Sequence, residues 1–326
     1  MVSDILKLIR STKEYIPDST IAKAAMMTEY DVHANVNQLI RQGYDIEYVE
    51  GKGFHLNSYP ETICSAELLS RATTNWAGKT VLYRSETTST NEEAKYAAEN
   101  GREHGTLVVA ENQTAGRGRR GRSWESDGKN SVAMSLILRP SFGAEKAPMI
   151  TLLMALSVAE VLSKLTDLSV KIKWPNDVLI NKKKVCGILT EMAADKGAIN
   201  HVIVGVGINV NQKMMPEEIG DIATSLLIEK GDRYSRADII LAVMEFFEYY
   251  FDIFCSTGDL SDVVSLYESY LINKDETVRV LDPKGEYNGV ATGINDFGEL
   301  VVQKEDGSYT RVSSGEVSVR GVYGYV

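Results

Sequence analysis

Residues 112–124 read Asn-Gln-Thr-Ala-Gly-Arg-Gly-Arg-Arg-Gly-Arg-Ser-Trp, so three glycines (Gly116, Gly118, Gly121) alternate with four arginines (Arg117, Arg119, Arg120, Arg122). Arginine offers planar, permanently charged donors that suit carboxylate and phosphate, while glycine lets the backbone turn through positive φ and approach a ligand closely. This pairing predicts an anion-holding loop, with a solvated basic turn or a nucleic-acid tail as the alternatives. In a chain of formal net charge −10, so dense a positive segment with little apolar anchoring is expected to be mobile when empty and ordered when filled. It follows an apolar run at 106–110 that has the character of a buried strand.

Other short constellations carry chemistry. Ser89, Thr90 and Asn91 close a run of hydroxyls just before a helix, where they can cap it and donate to a small polar ligand; capping alone accounts for at least one of them. Lys173, Trp174, Pro175, Asn176 and Asp177 put a cation, an aromatic ring, a rigid turn and a carboxylate next to one another, and a plain turn between strands is the competing reading. Lys182, Lys183 and Lys184 read by default as a solvated hairpin tip, but Lys184 precedes a buried strand and can point inward. Two nucleotide signatures are excluded. Thr73 stands where a Walker A loop ending at Gly78-Lys79-Thr80 needs glycine, and Val210 where Gly205-Val206-Gly207 needs the third glycine of a dinucleotide fingerprint.

The elements that must position these residues fall into three units, as 326 residues suggest. Residues 1–62 show helical patterns at 3–11, 20–25 and 30–42 followed by a hairpin turning at 51–53, which predicts a winged helix-turn-helix. Tyr30, His33, Asn35, Asn37, Gln38 and Arg41 of the third helix, with Lys52 at the wing tip, are the candidate DNA contacts. Against this, six basic side chains face eight acidic ones within residues 1–60, and Glu29 and Asp31 begin the recognition helix, so a dimerisation or vestigial module is the alternative. Residues 63–271 alternate strand-like runs (81–84, 106–110, 131–138, 170–173, 177–180, 184–191, 201–210) with helical ones (91–100, 148–166, 235–254), a mixed α/β pattern. Residues 272–326 carry short, evenly spaced strands that predict a small SH3-like β-barrel, in which Arg320 is a lone arginine of structural or binding use.

Composition bounds the rest. No run approaches the ~18 uninterrupted apolar residues of a membrane span, and the beginning of the chain has no basic, apolar signal, so a cytoplasmic location is expected. Three cysteines and four histidines are scattered, which argues against a disulfide framework, a zinc knuckle or a histidine metal centre. An excess of 45 acidic over 35 basic residues disfavours general nucleic-acid binding while leaving room for a local contact.

In this order the motifs resemble those of biotin protein ligases that double as repressors of the biotin operon: Ser-Thr-Asn at 89–91, Gly-Arg-Gly-Arg-Arg-Gly-Arg-x-Trp at 116–124, Lys-Trp-Pro-Asn-Asp at 173–177, Lys-x-x-Gly-Ile-Leu at 184–189, Gly-x-Gly-Ile-Asn at 205–209, Ala-Thr-Ser-Leu at 223–226 and Gly-Glu-Val-Ser-Val-Arg at 315–320. The resemblance spans all three units. It implies that biotin and Mg2+-ATP give biotinyl-5′-adenylate, and that the acyl group then passes to a lysine of a biotin carboxyl carrier protein. Ser89, Thr90, Asn91, Gln113 and the backbone at Arg117 and Gly118 would hold biotin; Lys184 would sit on its carboxylate. Arg119, Arg120 and Arg122 would hold phosphates, Trp124 would close the loop, Asn176 and Asn209 would touch the adenylate, and Lys173 would neutralise charge at the α-phosphate. Asp177 would position Mg2+ or orient the incoming amine, and residues 211–228 would form a second mobile loop over adenine. The adenylate-bound protein would be a homodimer on operator DNA, with no membrane partner. A ligase whose amino-terminal module does not bind DNA, and a lipoate ligase, are the alternatives.

Overall fold

The computed structural model describes residues 2–195, 198–282, 285–314 and 318–321; within the last stretch only the backbone and the Val319 side chain are described. Helices α1 (Val2–Arg10), α2 (Asp18–Ala24) and α3 (Glu29–Arg41) pack Ile5, Leu6, Ile9, Ile21, Val32, Val36 and Leu39 into a small core of their own. The inner residues of α3 recur at helical spacing, which is why this face is buried and the opposite one exposed. Thr28 caps α3 in a reciprocal box with Asp31, so the Asp31 carboxylate is engaged with the helix start. The strands β1 (Asp45–Val49) and β2 (Gly53–Ser58) form an antiparallel hairpin against this core. Gly53 has φ of 100°, and a Cβ there would lie 2.0 Å from the Ile16 carbonyl oxygen, because Ile16 and Phe54 exchange both backbone hydrogen bonds.

Helix α4 (Ser65–Arg71) leads into the central sheet, which contains β3 (Thr80–Thr87), β4 (Thr106–Gln113), β7 (Ser131–Leu138), β8 (Val170–Lys173), β9 (Asp177–Ile180), β10 (Lys183–Asp195) and β11 (Ala198–Asn209). Its order is β3-β4-β7-β11-β10-β9-β8, with β3 and β4 parallel and every other pair antiparallel. Between β3 and β4 runs α5 (Thr90–Glu99), and between β4 and β7 a short hairpin pairs β5 (Gly116–Arg117) with β6 (Ser123–Trp124).

Both faces of the sheet are covered, so every residue of β7 is buried and, apart from Ser131 and Ser135, the strand is apolar without alternation. Ala94, Ala97 and Ala98 of α5 lie on Val108, Ile137 and Ile203 on one face. On the other, α6 (Ala147–Thr166) and α8 (Arg236–Thr257) cover Leu107, Val109, Met134 and Leu136. The span Ala144–Thr166 is long and apolar enough to cross a membrane, yet 83% of its most apolar window is buried inside the protein. It is the central core helix.

After α7 (Leu226–Lys230), α8 and α9 (Val264–Tyr270), the chain forms β12 (Glu276–Leu281), β13 (Tyr287–Ile294), β14 (Leu300–Lys304), β15 (Tyr309–Val312) and β16 (Ser318–Gly321). These make an antiparallel sheet in the order β15-β14-β13-β12-β16. Among the described residues no ladder joins β15 to β16, so the barrel expected from the strand spacing is an open sheet. Most of the 315–320 motif and the Arg320 side chain lie outside the described residues. The sheet is fastened to the central unit at Trp174, whose backbone N–H donates to Asn273 Oδ1 at 2.9 Å and whose indole donates to the Gly298 carbonyl at 3.0 Å.

Candidate active site

The arginine-rich stretch folds as a hairpin. Gly116 pairs with Trp124 and Arg117 with Ser123, Gly118 N–H donates to the Arg122 carbonyl at 2.7 Å, and Arg120 takes φ of 57° at the tip. Its root is tied to the end of β3, where Thr114 and Ala115 N–H groups each donate at 2.9 Å to the Thr87 and Thr88 carbonyls. Apolar anchoring, expected to be slight, comes mainly from Trp124, and these backbone bonds add to it.

That packing depends on glycine. Gly187 of β10 and Gly207 of β11 face each other across the ladder, and a Cβ at Gly207 would lie 2.4 Å from Trp124 Cε2, while one at Gly187 would lie 2.9 Å from Cζ3. The indole therefore rests on bare backbone. Its Nε1 is buried without a hydrogen-bond partner among the described residues, a donor still seeking an acceptor. Beside it a cavity of about 40 Å³ is bounded by Ser89, Thr90, Gln113, Lys184, Gly187 and Gly207.

Lys184 and Asp177 meet at the mouth of this slot. Lys184 Nζ is 2.7 Å from Asp177 Oδ1 and 5.4 Å from the Trp124 ring centroid. Both side chains remain partly accessible, so Lys184 Nζ is oriented by Asp177 and reachable by a second anion. The backbone of Lys184 is held by the segment that begins after β11: its N–H donates to the Ile222 carbonyl at 2.8 Å and its carbonyl accepts from Thr224 N–H at 2.9 Å. Asn209 fixes that segment, its Nδ2 donating to the Thr224 carbonyl at 3.0 Å while its Oδ1 accepts from Gln212 at 3.1 Å. A larger cavity of about 710 Å³ adjoins the site, lined by Arg122, Trp124, Lys184, Asn209, Met214 and Pro216 among others.

Arg119 also borders the small slot and reaches Asn176, with Nη1 2.9 Å from its Oδ1, while Nη2 donates to the Ser314 carbonyl. Burial holds the Arg119 pKa below the usual guanidinium value, and the nearby Asp177 carboxylate opposes that shift. Asn176 is also spoken for: its amide donates to Asp177 Oδ1 and to the Ile188 carbonyl, both at 3.1 Å. Lys173 is buried next to Trp174 and lines the same opening as Asp177, Lys184 and Arg119. Arg117 is exposed and paired with Glu92, and Arg120 and Arg122 are exposed at the hairpin tip.

Gln113 Oε1 accepts from Thr90 N–H at 2.8 Å and from Thr90 Oγ1 at 3.0 Å, and Ser89 is buried beside them. Asn91 is committed to the scaffold. Its amide donates to Glu191 at 2.6 Å and its oxygen accepts from Ser135 at 2.7 Å, although it still borders the slot. The glycine floor and the residues that hold Asn91 were not among the sequence candidates. The register of Gly187 against Gly207 would have marked the floor, but register is not written in a single strand.

The resemblance to biotin ligases also implies a metal. Among the described residues no group of three or more His, Cys, Asp or Glu could hold one, and Asp177 is the single carboxylate lining the opening it shares with Arg119 and Lys173. Such a donor set fits Mg2+ that arrives on nucleotide phosphates, not a resident metal centre.

In the amino-terminal unit, Tyr30, Asn37, Gln38 and Arg41 project from the exposed face of α3, and Asn35 bonds back to the Asp31 carbonyl at 2.7 Å. His33 is partly exposed and also serves the fold. It lies 3.3 Å from Asp18 Oδ2 and edge-on to Tyr48 and Phe54, holding the hairpin to the helices. Lys52 sits at the hairpin tip, over the Tyr15 ring.

Sheet topology and site together define a class. Residues 81–209 match the biotin/lipoate A/B protein ligase family and residues 275–320 the biotin protein ligase C-terminal domain. The chain belongs to this family of ligases. More particularly, it is 36% identical over 307 residues to the bifunctional ligase/repressor BirA of Bacillus spizizenii, covering 93% of this chain and 94% of that one. Identity to the Bacillus subtilis bifunctional ligase/repressor BirA is 37% over the same coverage. Among solved structures, the biotin protein ligase of Aquifex aeolicus in complex with biotin and ATP superposes with a TM-score of 0.66 at 33% identity, covering 74% of this chain and 99% of that one.

Proposed function

We propose that the protein is a bifunctional biotin protein ligase and biotin-operon repressor, which activates biotin with Mg2+-ATP and transfers it to a lysine of a biotin carboxyl carrier protein. The observation that carries this reading is a glycine-floored slot closed by Trp124 and bordered by Lys184, whose Nζ pairs with Asp177. Relatives of nearly full length that are named bifunctional ligase/repressors, and a structural neighbour holding biotin and ATP, support it.

The chemistry follows from charge. In the first step a biotin carboxylate oxygen attacks the α-phosphorus of ATP, an oxygen–phosphorus bond forms, and the bond to the β-phosphate oxygen breaks to release pyrophosphate. Two anions must be brought together, so the residues needed are fixed cations rather than a covalent nucleophile. Lys184 is placed to hold the carboxylate and then the acyl phosphate; Lys173 and Arg119 line the opening where the phosphates would lie, and the adjoining cavity beside Asn209 takes the nucleoside. Mg2+ would arrive with the nucleotide substrate and supply charge neutralisation at its phosphates, with Asp177 as the carboxylate that would help hold it. In the second step the carrier lysine nitrogen attacks the acyl carbon, an amide forms, AMP leaves and the amine loses a proton. Asp177, fixed by Lys184 and Asn176, orients that amine.

Residues 1–62 are assigned to a winged helix-turn-helix, 63–271 to the catalytic unit and 272–326 to an SH3-like unit, in a cytoplasmic protein. Tyr30, Asn37, Gln38 and Arg41 form its DNA-facing row, with Lys52 on the wing. Adenylate would favour a homodimer that sets two such helices on a two-fold operator.

The test is incubation of the purified protein with biotin, Mg2+-ATP and a carrier domain, with an operator mobility shift on the same preparation. Mass gain on the carrier and an adenylate-dependent shift are expected. Mass gain alone would reassign residues 1–62, and no mass gain would end the ligase reading.

A further inference from the structure

Arg236 is the first residue of α8, a poor place for a cation because the helix amino terminus is itself the positive end of the dipole. It is nevertheless completely buried. Three segments surround its guanidinium. Nε and Nη2 grip the two oxygens of Glu61, each at 2.9 Å, and Nη1 donates to Glu111 Oε2 at 2.7 Å and toward the Ser131 carbonyl at 3.4 Å.

The position of these partners carries the argument. Glu61 lies on the connection between β2 and α4, that is, between the amino-terminal unit and the sheet. Glu111 stands in β4 two residues before Gln113, and Ser131 opens β7, so these two groups flank the segment that contains the arginine hairpin. A second strut runs parallel: Arg71 of α4 pairs with Asp238 of α8 and, at 3.1 Å, with the buried Glu67, which also accepts from Arg10 and from the Tyr44 hydroxyl at 2.7 Å. The amino-terminal unit is thus docked through charge onto the first turn of α8.

We propose that Arg236 is a positioning residue that couples occupancy of the ligand slot to the placement of the amino-terminal unit, with Glu61 as the movable half of the joint. Naming the ligand as biotin rests on the function proposed above; the joint does not. Glu61 is partly exposed and touches nothing in the slot, yet displacing it leaves Arg236 to rebalance between Glu111 and Ser131 at the two roots of the hairpin. By reciprocity, ordering the hairpin on ligand biases Glu61 and the helices that follow from it.

The experiment uses Glu61→Gln in the full chain, read by amide hydrogen exchange over residues 114–130, by biotin affinity, and by kcat at saturating biotin and ATP. Faster exchange over 114–130, a rise in biotin Kd of about fivefold and an unchanged kcat are expected, with thermal stability close to that of the parent. Unchanged exchange and affinity would overturn the proposal and leave Arg236 a structural staple. If Glu61→Gln does not fold, Arg236→Lys, which keeps the charge but loses the two-oxygen grip, must show the same pattern. Should the parent protein bind no biotin, the exchange measurement still decides the joint, and only the ligase reading falls.

Discussion

Gly187 and Gly207 face each other across adjacent strands, and together they leave the hollow in which the Trp124 indole lies. Neither needs positive φ, so each is glycine for lack of a side chain rather than for backbone freedom. Gly207→Ala would drive a methyl group into the ring at 2.4 Å. Biotin affinity should fall on the order of tenfold, about 1.4 kcal/mol, while the melting temperature stays near that of the parent. Titration calorimetry beside a thermal scan checks both.

Lys184→Ala removes an ammonium paired with Asp177 and leaves that carboxylate nearer the incoming acid. Adenylate formation, followed as pyrophosphate release, should drop by roughly 10²–10³, the range for losing a preorganised charge-stabilising donor. Normal release would remove Lys184 from the mechanism.

Arg119→Ala breaks two contacts at once, to Asn176 and to the Ser314 carbonyl. The expected signature is a raised KM for ATP together with faster amide exchange in β15. A change in ATP kinetics without the exchange change would separate the phosphate role from the contact with the carboxy-terminal sheet.

Glu248 accepts from the backbone N–H groups of Asn75, Trp76 and Ala77 at 2.7–2.9 Å. Burial pushes its pKa up, but those hydrogen bonds outweigh it and hold the value below the ordinary carboxylate range. The stability it contributes is therefore present above the unfolded value, about 4.3, and lost as pH falls from there through the lower folded value. Glu248→Gln should cost about 1–3 kcal/mol at neutral pH, and the gap from the parent should close in acid; urea melts at both pH values would show it.

Gln38→Ala should weaken operator binding by about 1–3 kcal/mol without altering carrier biotinylation, because the residue sits on the exposed face of α3, remote from the slot. Competition mobility shifts beside a biotinylation assay test that separation.

Much of this was legible in the sequence because local chemistry and tertiary role agreed. The strand-like run at 131–138 is a strand buried on both faces, and Lys184 stands near the start of β10 with its head toward Asp177. Ser89, Thr90, Gln113 and Trp124 do converge. What could not be read is pairwise. Asn91 and Asn209 have the residue type of ligand contacts, but their amides are taken by Glu191 and the Thr224 carbonyl, partners set by strands that meet only in the fold. His33 likewise has a base-reading side chain at a helical position, and only the hairpin folding back over α3 shows it packed against Tyr48 and Phe54. The barrel was inferred from strand count and spacing, which do not say whether the first and last strands close.

The attachment of the carboxy-terminal sheet has a practical corollary. Trp174, two residues before Asn176, donates its indole N–H to the Gly298 carbonyl, and Arg119 donates to that of Ser314. A chain shortened after residue 271 would strip the acceptor from a buried tryptophan and from an arginine of the proposed phosphate-holding set in one cut. The last fifty or so residues therefore behave as a keystone rather than an appendage.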